Sequence, residues 1–182
     1  MFRAAFAILL FAVMTGLLGA SQPSLAQDKV YDETAFVPID PPQPLAGFLF
    51  EDENGRTLDL KDFRGRYVLL NIWATFCGPC VAEMPRLDAL STKLDKNRWA
   101  IVALAEDHDG ATVAHIFYKH HDIHNLAVYN DRTGRAPFVL QTRGLPTTLL
   151  INPKGEEIAR LEGPADWSKD SMVAFLKARV TP

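Results

Sequence analysis

The chain contains two cysteines, Cys77 and Cys80, which are separated by two residues in the segment WATFCGPC. Two thiols at this spacing can bind a metal, close a small disulfide loop, or exchange electrons with another thiol pair. A zinc site usually needs four ligands, and the sequence has no second C-x-x-C. A disulfide across so short a loop removes little entropy from the unfolded chain, so it is a poor structural crosslink. The spacing therefore favours thiol–disulfide exchange.

The first 26 residues have the pattern of an export signal. Arg3 gives a short positive start, residues 4–20 form an uncharged apolar run, and Ser24-Leu25-Ala26 offers a cleavage site. We predict a signal peptide over residues 1–26. The alternative is an uncleaved N-terminal membrane anchor, although the run is short of the roughly 20 residues of a spanning helix. Both interpretations predict a periplasmic or otherwise exported protein, in a compartment where disulfides persist.

Composition places the rest of the chain among ordinary globular domains. Of the 182 residues, 48% are hydrophobic and 23% are charged, which is enough apolar material for one core. The net charge is −3 and the sequence has no lysine or arginine cluster, which argues against a nucleic-acid partner. Residues 27–43 are polar and dotted with prolines, and we predict an extended lead-in there. Residues 44–182 are the predicted domain.

The cysteines stand between a predicted strand and a predicted helix. The apolar run from Tyr67 to Ala74 is typical of a strand buried on both faces. Pro79 suits a first helical turn, whereas Pro85 would kink the helix further on. After the cysteines, apolar residues recur at three- and four-residue steps, which predicts an amphipathic helix; they are Val81, Met84, Leu87, Leu90 and Leu94.

Strands and helices alternate along the remainder of the domain, and this pattern predicts an α/β fold with a mixed sheet flanked by helices. Asn54-Gly55 marks the turn of an N-terminal β-hairpin. Asp166 or Ser168 is the predicted cap of the last helix. The predicted elements are the hairpin strands 47–50 and 56–60, strands 100–105, 126–129, 147–152 and 156–161, and helices 110–121, 137–142 and 166–180.

A cysteine at the start of a helix has a specific chemistry. The free N–H groups and the helix dipole favour a negative charge there, so we expect Cys77 to form a reactive thiolate. Cys80 lies one turn inside the helix and would resolve the mixed disulfide that Cys77 makes. Gly78 and Pro79 shape the small ring between the two cysteines.

A second motif, Gly144-Leu145-Pro146-Thr147-Thr148, precedes an apolar strand. Taken alone, Pro146 would be an ordinary trans proline. Together with WATFCGPC and the following Glu83-Met84-Pro85, however, the motif resembles the thioredoxin superfamily. More narrowly, residues 44–180 resemble the exported TlpA/ResA-like thiol:disulfide oxidoreductases, which are relatives of the cytochrome c maturation thioredoxins.

This resemblance implies a thioredoxin-like fold with a helix and strand insertion at residues 110–129. It implies that Pro146 is cis, lies opposite the cysteines and keeps a metal from settling on them, and that the Leu145 backbone pairs with a substrate strand. It implies no cofactor beyond the redox-active Cys77–Cys80 disulfide. The implied substrate-binding residues are Phe76, Gly78, Leu145 and Thr147, with Trp73 and Pro79 as supporting residues.

The resemblance also implies the partners. The protein would be a monomer that reduces client proteins whose cysteines must be free, such as haem-attachment or copper-site cysteines. Because NADPH is not supplied outside the cytoplasm, a membrane electron-donor protein would recharge it. The sequence names neither the client nor the donor, and it does not fix the reduction potential.

Some positions depart from the family pattern or need an assignment. Phe76 replaces the tryptophan common before the first cysteine, and Asn71 replaces the buried aspartate of cytosolic thioredoxins. Glu106, at the end of the second buried strand, matches a glutamate near the active site of the TlpA/ResA branch, and we predict that it tunes the cysteines as an acid/base. Glu83 is interpreted mainly as a surface charge.

All five histidines fall in one window, which raises the possibility of a metal site. Their spacing does not put them on one helix face, so we predict solvated surface histidines. A copper-binding or delivery module that uses the two thiolates is the alternative function. A thiol peroxidase is a weaker one, because Thr75 does not provide the Thr-x-x-Cys setting of a peroxidatic cysteine. The histidines are His108, His115, His120, His121 and His124.

Overall fold

The computed structural model describes residues 29–179, which form one eight-stranded mixed sheet with helices packed against it. The order of the strands in the sheet is β1-β8-β7-β4-β5-β6-β2-β3. The strands are β1 (Val37–Pro44), β2 (Phe50–Asp52), β3 (Thr57–Leu58), β4 (Tyr67–Trp73), β5 (Trp99–Ala105), β6 (Tyr129–Asn130), β7 (Thr147–Ile151) and β8 (Glu156–Glu162). The helices are α1 (Gly78–Ser91), α2 (Ala111–His120), α3 (Arg135–Val139) and α4 (Asp170–Arg179).

The centre of the sheet is β4, the strand that leads to the cysteines. It pairs in parallel with β5 and antiparallel with β7, and every residue from Val68 to Trp73 is buried. A run of apolar and β-branched residues suits this position because both faces of a central strand are covered. The register places Trp73 opposite Ala105 and Ile72 opposite Thr147, so the ends of three strands meet beside the cysteines.

The predicted N-terminal hairpin is present as β2 and β3, with Asn54-Gly55 in its turn. The Asp52 side chain accepts the backbone N–H groups of Asn54 and Arg56 and so holds this turn. Strand β2 also pairs with β6, which joins the hairpin to the sheet beyond β5. The predicted strand at 126–129 is largely wrong, because only Tyr129 and the following Asn130 pair with the sheet.

The described part of the predicted lead-in is not a linker. Val37–Pro44 is extended as expected, but it forms the edge strand β1 and pairs antiparallel with β8. A short 3-10 turn at Glu33–Ala35 precedes it, and Phe36 stacks on Phe175 with ring centroids 5.3 Å apart. These contacts make the N-terminal segment part of the domain, which therefore begins before the predicted boundary at residue 44.

Each face of the sheet has its own core. On one face, α1, α2 and α4 cover Trp73, and the insertion contributes Phe117 and Tyr118, whose rings lie 5.0 and 5.9 Å from that indole. On the other face, aromatic residues of the hairpin region pack over Val68, Leu70 and Ile72. Burial on both faces fixes the position of β4, and the turn with the two cysteines follows directly after this strand.

Two predicted helix boundaries are wrong. Helix α4 begins at Asp170 rather than at 166, because the Asp166 side chain accepts the N–H of Ser168 in a local turn before the helix. Helix α3 spans Arg135–Val139, earlier than the predicted 137–142, because the Asp131 side chain accepts the N–H of Ala136. Within residues 29–179, none of the helices has the length and apolarity needed to cross a bilayer. The predicted signal peptide at 1–26 lies outside the described residues.

Candidate redox site

The two cysteines are joined in a disulfide at the start of α1. Cys77 is the N-cap of the helix, and its Sγ accepts the backbone N–H of Cys80 at 3.3 Å. Cys77 is half-buried, whereas Cys80 is completely buried. A thiolate on Cys77 would be stabilised by the Cys80 N–H and by the positive end of the helix dipole. The structure thus gives the two sulfurs unequal access to solvent.

The segment between β4 and α1 is held by a side chain from the neighbouring strand end. Asp107 follows β5, is 6% exposed, and accepts hydrogen bonds from both the backbone N–H and the hydroxyl of Thr75. The N–H of Cys77 donates to the carbonyl of Ala74 at 3.1 Å. Together these bonds turn the chain sharply from the strand into the helix. Thr75 is therefore a structural residue of the turn.

Other sequence-predicted residues surround this turn. Trp73 is completely buried beneath the cysteines, among the aromatic residues of the insertion. Phe76 is 75% exposed, and Gly78 is also exposed at the first position of α1. Pro79 occupies the first helical turn, as predicted. Phe76 and Gly78 are thus available for contact with another molecule, whereas Trp73 supports the turn from below.

The Pro146 motif is present with a cis peptide bond between Leu145 and Pro146. Leu145 is half-buried and Pro146 is buried. Thr147 is completely buried, and its hydroxyl donates to the Gly144 carbonyl at 2.7 Å. The Thr147 side chain therefore braces the loop from inside, and Leu145 is the residue of this motif with accessible surface next to the proline.

A cavity of about 390 Å³ lies beside the cysteine segment. It brings together Phe76, Glu106 and Leu145, three residues that the sequence analysis assigned to the site. The rest of its wall comes from the loops around α3, namely His108, Gly134, Pro137, Thr142, Arg143 and Gly144. Phe138, which follows Pro137 in α3, is 85% exposed. The cavity offers aromatic, aliphatic and ionisable surface in one place.

Glu106 is a buried carboxyl in the wall of this cavity. It is 6% exposed, and neither carboxylate oxygen has a hydrogen-bond partner among the described residues. Burial, together with the smaller effect of the negative charges of Asp131 and Asp107, raises its pKa to about 8. Its backbone N–H donates to the Trp73 carbonyl at 2.9 Å, which fixes it beside the end of β4. Glu106 therefore carries a proton at neutral pH.

Glu83 is not the surface charge that the sequence analysis predicted. It is 2% exposed, because α1 packs its side chain inward against β4 and the loop before α4. One carboxylate oxygen accepts the amide of Asn71 at 2.8 Å, and the other accepts the backbone N–H of Ala165 at 2.7 Å. Burial raises its pKa to about 7, although these two bonds, the Trp167 indole and Arg86 favour the charged form.

Asn71 links this carboxyl to the centre of the sheet. It is completely buried in β4, and its side-chain amide donates to Glu83 and, at 3.0 Å, to the hydroxyl of Thr148 in β7. The position that carries an aspartate in cytosolic thioredoxins thus holds a neutral donor here, and the ionisable group is supplied by α1. Cys80 and Glu83 stand three residues apart on that helix, so their side chains lie on neighbouring turns.

The five histidines are all exposed. The ring of His121 stacks on Phe117 with centroids 4.1 Å apart, and His108 lines the cavity of about 390 Å³. Among residues 29–179, no three His, Cys, Asp or Glu side chains are grouped to hold a metal ion. The histidine window is therefore a set of separate surface positions around the insertion.

Sequence reasoning missed Asp107 and Asp131 and misplaced Glu83. Each of the two aspartates follows a strand and accepts backbone N–H groups of a turn, Asp107 in the turn between β4 and α1 and Asp131 in the turn before α3. This common use of aspartate gives no chemical signal in a sequence. Glu83 did have a signal: it lies one position before Met84 and four before Leu87, both buried, so it borders the apolar face of the predicted helix.

Comparison with known proteins gives consistent matches over most of the chain. The Redoxin family model matches residues 28–176. Thiol-disulfide oxidoreductase ResA of Bacillus thuringiensis subsp. konkukian is 34% identical over 138 residues, which cover 74% of this chain and 75% of that protein. ResA of Bacillus cereus ATCC 10987 has the same identity and coverage.

The solved structures give a similar result. The exposed lipoprotein thioredoxin Etrx1 of Streptococcus pneumoniae superposes with a TM-score of 0.61 and 25% identity, and the match covers 73% of this chain and 99% of that one. StoA of Bacillus subtilis has a TM-score of 0.61 at 20% identity, which shows a shared fold. The matched region includes the cysteine turn and the Pro146 loop within the same sheet.

Proposed function

Since the chain belongs to the Redoxin family and is a ResA-like thiol-disulfide oxidoreductase of the thioredoxin superfamily, we propose that it reduces disulfides in client proteins outside the cytoplasm. The observation that carries this proposal is the unequal placement of the two sulfurs, with Cys77 half-buried at a helix N-terminus and Cys80 completely buried behind it. An accessible, charge-stabilised thiolate is the attacking group, and a shielded thiol is the resolving group.

The proposed reaction has two exchanges. The Cys77 thiolate attacks one sulfur of a client disulfide, the client S–S bond breaks, and the released client thiolate takes up a proton. The Cys80 thiolate then attacks the Cys77 sulfur, which frees the second client thiolate and forms the Cys77–Cys80 disulfide. Two electrons pass to the client, and the disulfide in the structure corresponds to the spent state.

Two carboxyls would handle the protons. Cys80 must lose its proton before it can resolve the mixed disulfide, and Glu83 is the ionisable group one turn further along the same helix. A pKa of about 7 lets it accept a proton near neutral pH. Glu106, with a pKa of about 8, would supply a proton to a leaving thiolate in the neighbouring cavity. We assign Glu83 to the resolving step and Glu106 to the client side.

The client would bind across Phe76, Gly78 and Leu145. Phe76 gives an exposed aromatic surface, and Leu145 offers backbone next to Pro146, which suits an extended client segment. Thr147 would act through this loop rather than by direct contact. We propose proteins with haem-attachment or copper-site cysteines as clients, because such cysteines must be reduced before use.

Export and recharging complete the proposal. The predicted signal peptide or anchor at residues 1–26 supports a location outside the cytoplasm, and the related Etrx1 is an exposed lipoprotein. Since that compartment lacks NADPH, a membrane protein with its own dithiol would return two electrons and two protons to the Cys77–Cys80 disulfide. The protein would act as a monomer.

The reduction potential of the Cys77–Cys80 pair tests the direction of electron flow. We would equilibrate the protein with dithiol buffers and follow the fraction of reduced cysteines by alkylation. A reductant is expected to have a potential well below the roughly −180 mV of a disulfide isomerase and nearer the roughly −270 mV of thioredoxin. A value near the roughly −120 mV of a strong oxidant would overturn the proposal, because the pair would then insert disulfides.

A further inference from the structure

The loop between β8 and α4 touches two parts of the redox site. The N–H of Gly163 donates to the carbonyl of Pro146 at 2.8 Å. Two residues later, the N–H of Ala165 donates to Glu83 at 2.7 Å. Ala165 is completely buried, and its amide has Glu83 as its hydrogen-bond acceptor in this arrangement. Residues 163–166, which we call the β8–α4 loop, thus control one of the two direct hydrogen bonds that Glu83 accepts.

The N-terminal segment holds this loop on both sides of Ala165. The N–H of Tyr31 donates to the Pro164 carbonyl, and the N–H of Asp166 donates to the Tyr31 carbonyl, both at 2.8 Å. Tyr31 and Ala165 form a one-residue parallel bridge. Because the two bonds flank Ala165, they fix the orientation of the peptide whose N–H reaches Glu83.

The Tyr31 ring adds a second constraint on the loop. Gly163 has φ +105°, and a Cβ at this position would lie 2.7 Å from Cε2 of Tyr31. No side chain can be placed there without moving the ring or the loop. The ring therefore packs directly on the backbone of Gly163, the residue that also contacts Pro146.

The rest of the N-terminal segment is attached to α4 independently of the loop. Glu33 accepts the hydroxyl of Ser171 at 2.8 Å, and Asp32 lies 3.4 Å from the Lys169 ammonium. Phe36 stacks on Phe175 of α4. These contacts keep residues 32–36 in place when the Tyr31 contacts alone are changed, which makes an experiment on Tyr31 interpretable.

We propose that Tyr31 is a positioning residue of the redox site. It acts through the β8–α4 loop and holds the Ala165 amide on the Glu83 carboxylate. The mechanism is a loss of freedom: with both Tyr31 bonds made, the Ala165 N–H has one orientation, and Glu83 keeps a charge-assisted hydrogen bond. The relevance to catalysis rests on the proposed role of Glu83 in the resolving step, whereas the positioning itself does not.

Few charged groups compete with this bond. Arg86 on α1 favours the charged form of Glu83, and it lies 3.8 Å from Asp166 in the loop. Within residues 29–179, the strands β4 and β7 contribute the uncharged Asn71 and Thr148, and the uncharged indole of Trp167 also favours the charged form of Glu83. Ser168 holds the pKa of Asp166 below its usual range, so Asp166 stays charged while Glu83 titrates. A change in the Ala165 bond should therefore be visible in the titration of Glu83.

The test is the pKa of Glu83 in the oxidised full chain, followed by NMR of ¹³C-labelled glutamate carboxyls. Tyr31→Pro removes the N–H that binds Pro164. We expect the Glu83 pKa to rise by roughly half a unit to one unit, because a hydrogen bond to the charged form is weakened. Gly163→Ala, which drives a Cβ into the Tyr31 ring, should shift it in the same direction and serves if the first variant does not fold.

Ser171→Ala is the matched control, because it breaks a contact of the N-terminal segment that does not involve the loop, and it should leave the Glu83 pKa unchanged. An unchanged Glu83 pKa in folded Tyr31→Pro or Gly163→Ala would overturn the proposal, as would an equal shift in Ser171→Ala. Failure of the Glu83 role is a separate result: Glu83→Gln would then leave the pH dependence of the resolving rate unaltered, while Tyr31→Pro would still move the titration.

Discussion

Cys77 and Cys80 differ in burial, and the proposed roles of the two thiols rest on this difference. Cys77 is half-buried and caps the helix, while Cys80 is completely buried in the core beneath it. A partner sulfur can approach Cys77 directly, whereas Cys80 is shielded from the partner and reacts only with the Cys77 sulfur of the mixed disulfide.

The first prediction follows from this access. Cys80→Ser should trap a mixed disulfide between Cys77 and a client, because no resolving thiol remains. Cys77→Ser should slow formation of any such adduct by about 100-fold or more, because the remaining thiol is buried. Non-reducing electrophoresis with a disulfide-containing test protein measures both. Equal trapping by the two variants would contradict the assignment.

Glu106 gives the second prediction, on stability against pH. Burial raises its pKa from 4.5 to about 8, so between these values the folded protein keeps a proton that the unfolded chain has released. Stability from this group is therefore full below about pH 4.5 and is lost as the pH rises through about 8. Glu106→Gln should be more stable than the parent at pH 9, by roughly 1–2 kcal/mol, and similar at pH 5.

Urea unfolding at the two pH values measures this effect. Glu53→Gln, in the exposed hairpin turn, is the matched control and should change neither value. A Glu106→Gln effect of the same size at pH 5 and pH 9 would show that packing, rather than ionisation, is responsible.

At the scale of elements, α1 positions more than the cysteines. Its Asp88 side chain is 7% exposed and accepts three backbone N–H groups of the segment after α2, namely those of His124, Asn125 and Leu126. The amide of Asn125 binds the second carboxylate oxygen at 2.7 Å. One aspartate therefore attaches the insertion to the helix that begins at the redox site.

The third prediction concerns this attachment. Asp88→Ala should destabilise the protein by roughly 2–4 kcal/mol, since it leaves three buried or partly buried N–H groups without their acceptor. Hydrogen exchange should accelerate first at residues 124–126. Asp95→Ala, which removes a single exposed bond to Asn97, is the control and should cost less than about 1 kcal/mol. Comparable losses in the two variants would refute the special role of Asp88.

The elements show what the sequence could and could not predict. The buried strand over Tyr67 to Ala74 and the helix after it were predicted because continuous and periodic apolar patterns report burial directly. The lead-in at 27–43 was misjudged because prolines indicate an extended chain but do not say whether it pairs with a strand more than a hundred residues away. Glu83 was misjudged although it borders the apolar face of α1, because its hydrogen bond to Ala165, 82 residues distant in sequence, leaves no local pattern.

At the scale of the whole molecule, the edge of the sheet is formed by an unusual strand. Four of the eight residues of β1 are proline, and proline has no N–H to offer to another strand. The opposite edge, β3, has only two residues. Both edges therefore offer little for edge-to-edge association, in keeping with the expectation of a monomer. The prolines of β1 are Pro38, Pro41, Pro42 and Pro44.

The fourth prediction tests this edge. Threonine at positions 38, 42 and 44 together should raise the tendency to self-associate, because it restores backbone donors on an exposed strand. Light scattering after size-exclusion chromatography, over a 100-fold range of concentration, measures the mass. Val37→Thr changes a side chain on the same strand without adding an N–H and should leave the mass unchanged. A triple variant with the mass of the parent at every concentration would show that the prolines are not protective.

The complete burial of Cys80 one turn behind Cys77 also bears on oxidative damage. An accessible thiolate reacts with peroxides to give a sulfenic acid, and further oxidation of that acid is irreversible. Here the neighbouring thiol can condense with the sulfenic acid and release water, which gives the same Cys77–Cys80 disulfide that ordinary turnover produces. A chance oxidant would thus leave the site in the disulfide state that the proposed electron donor reduces, and the irreversible oxidation of Cys77 would be avoided.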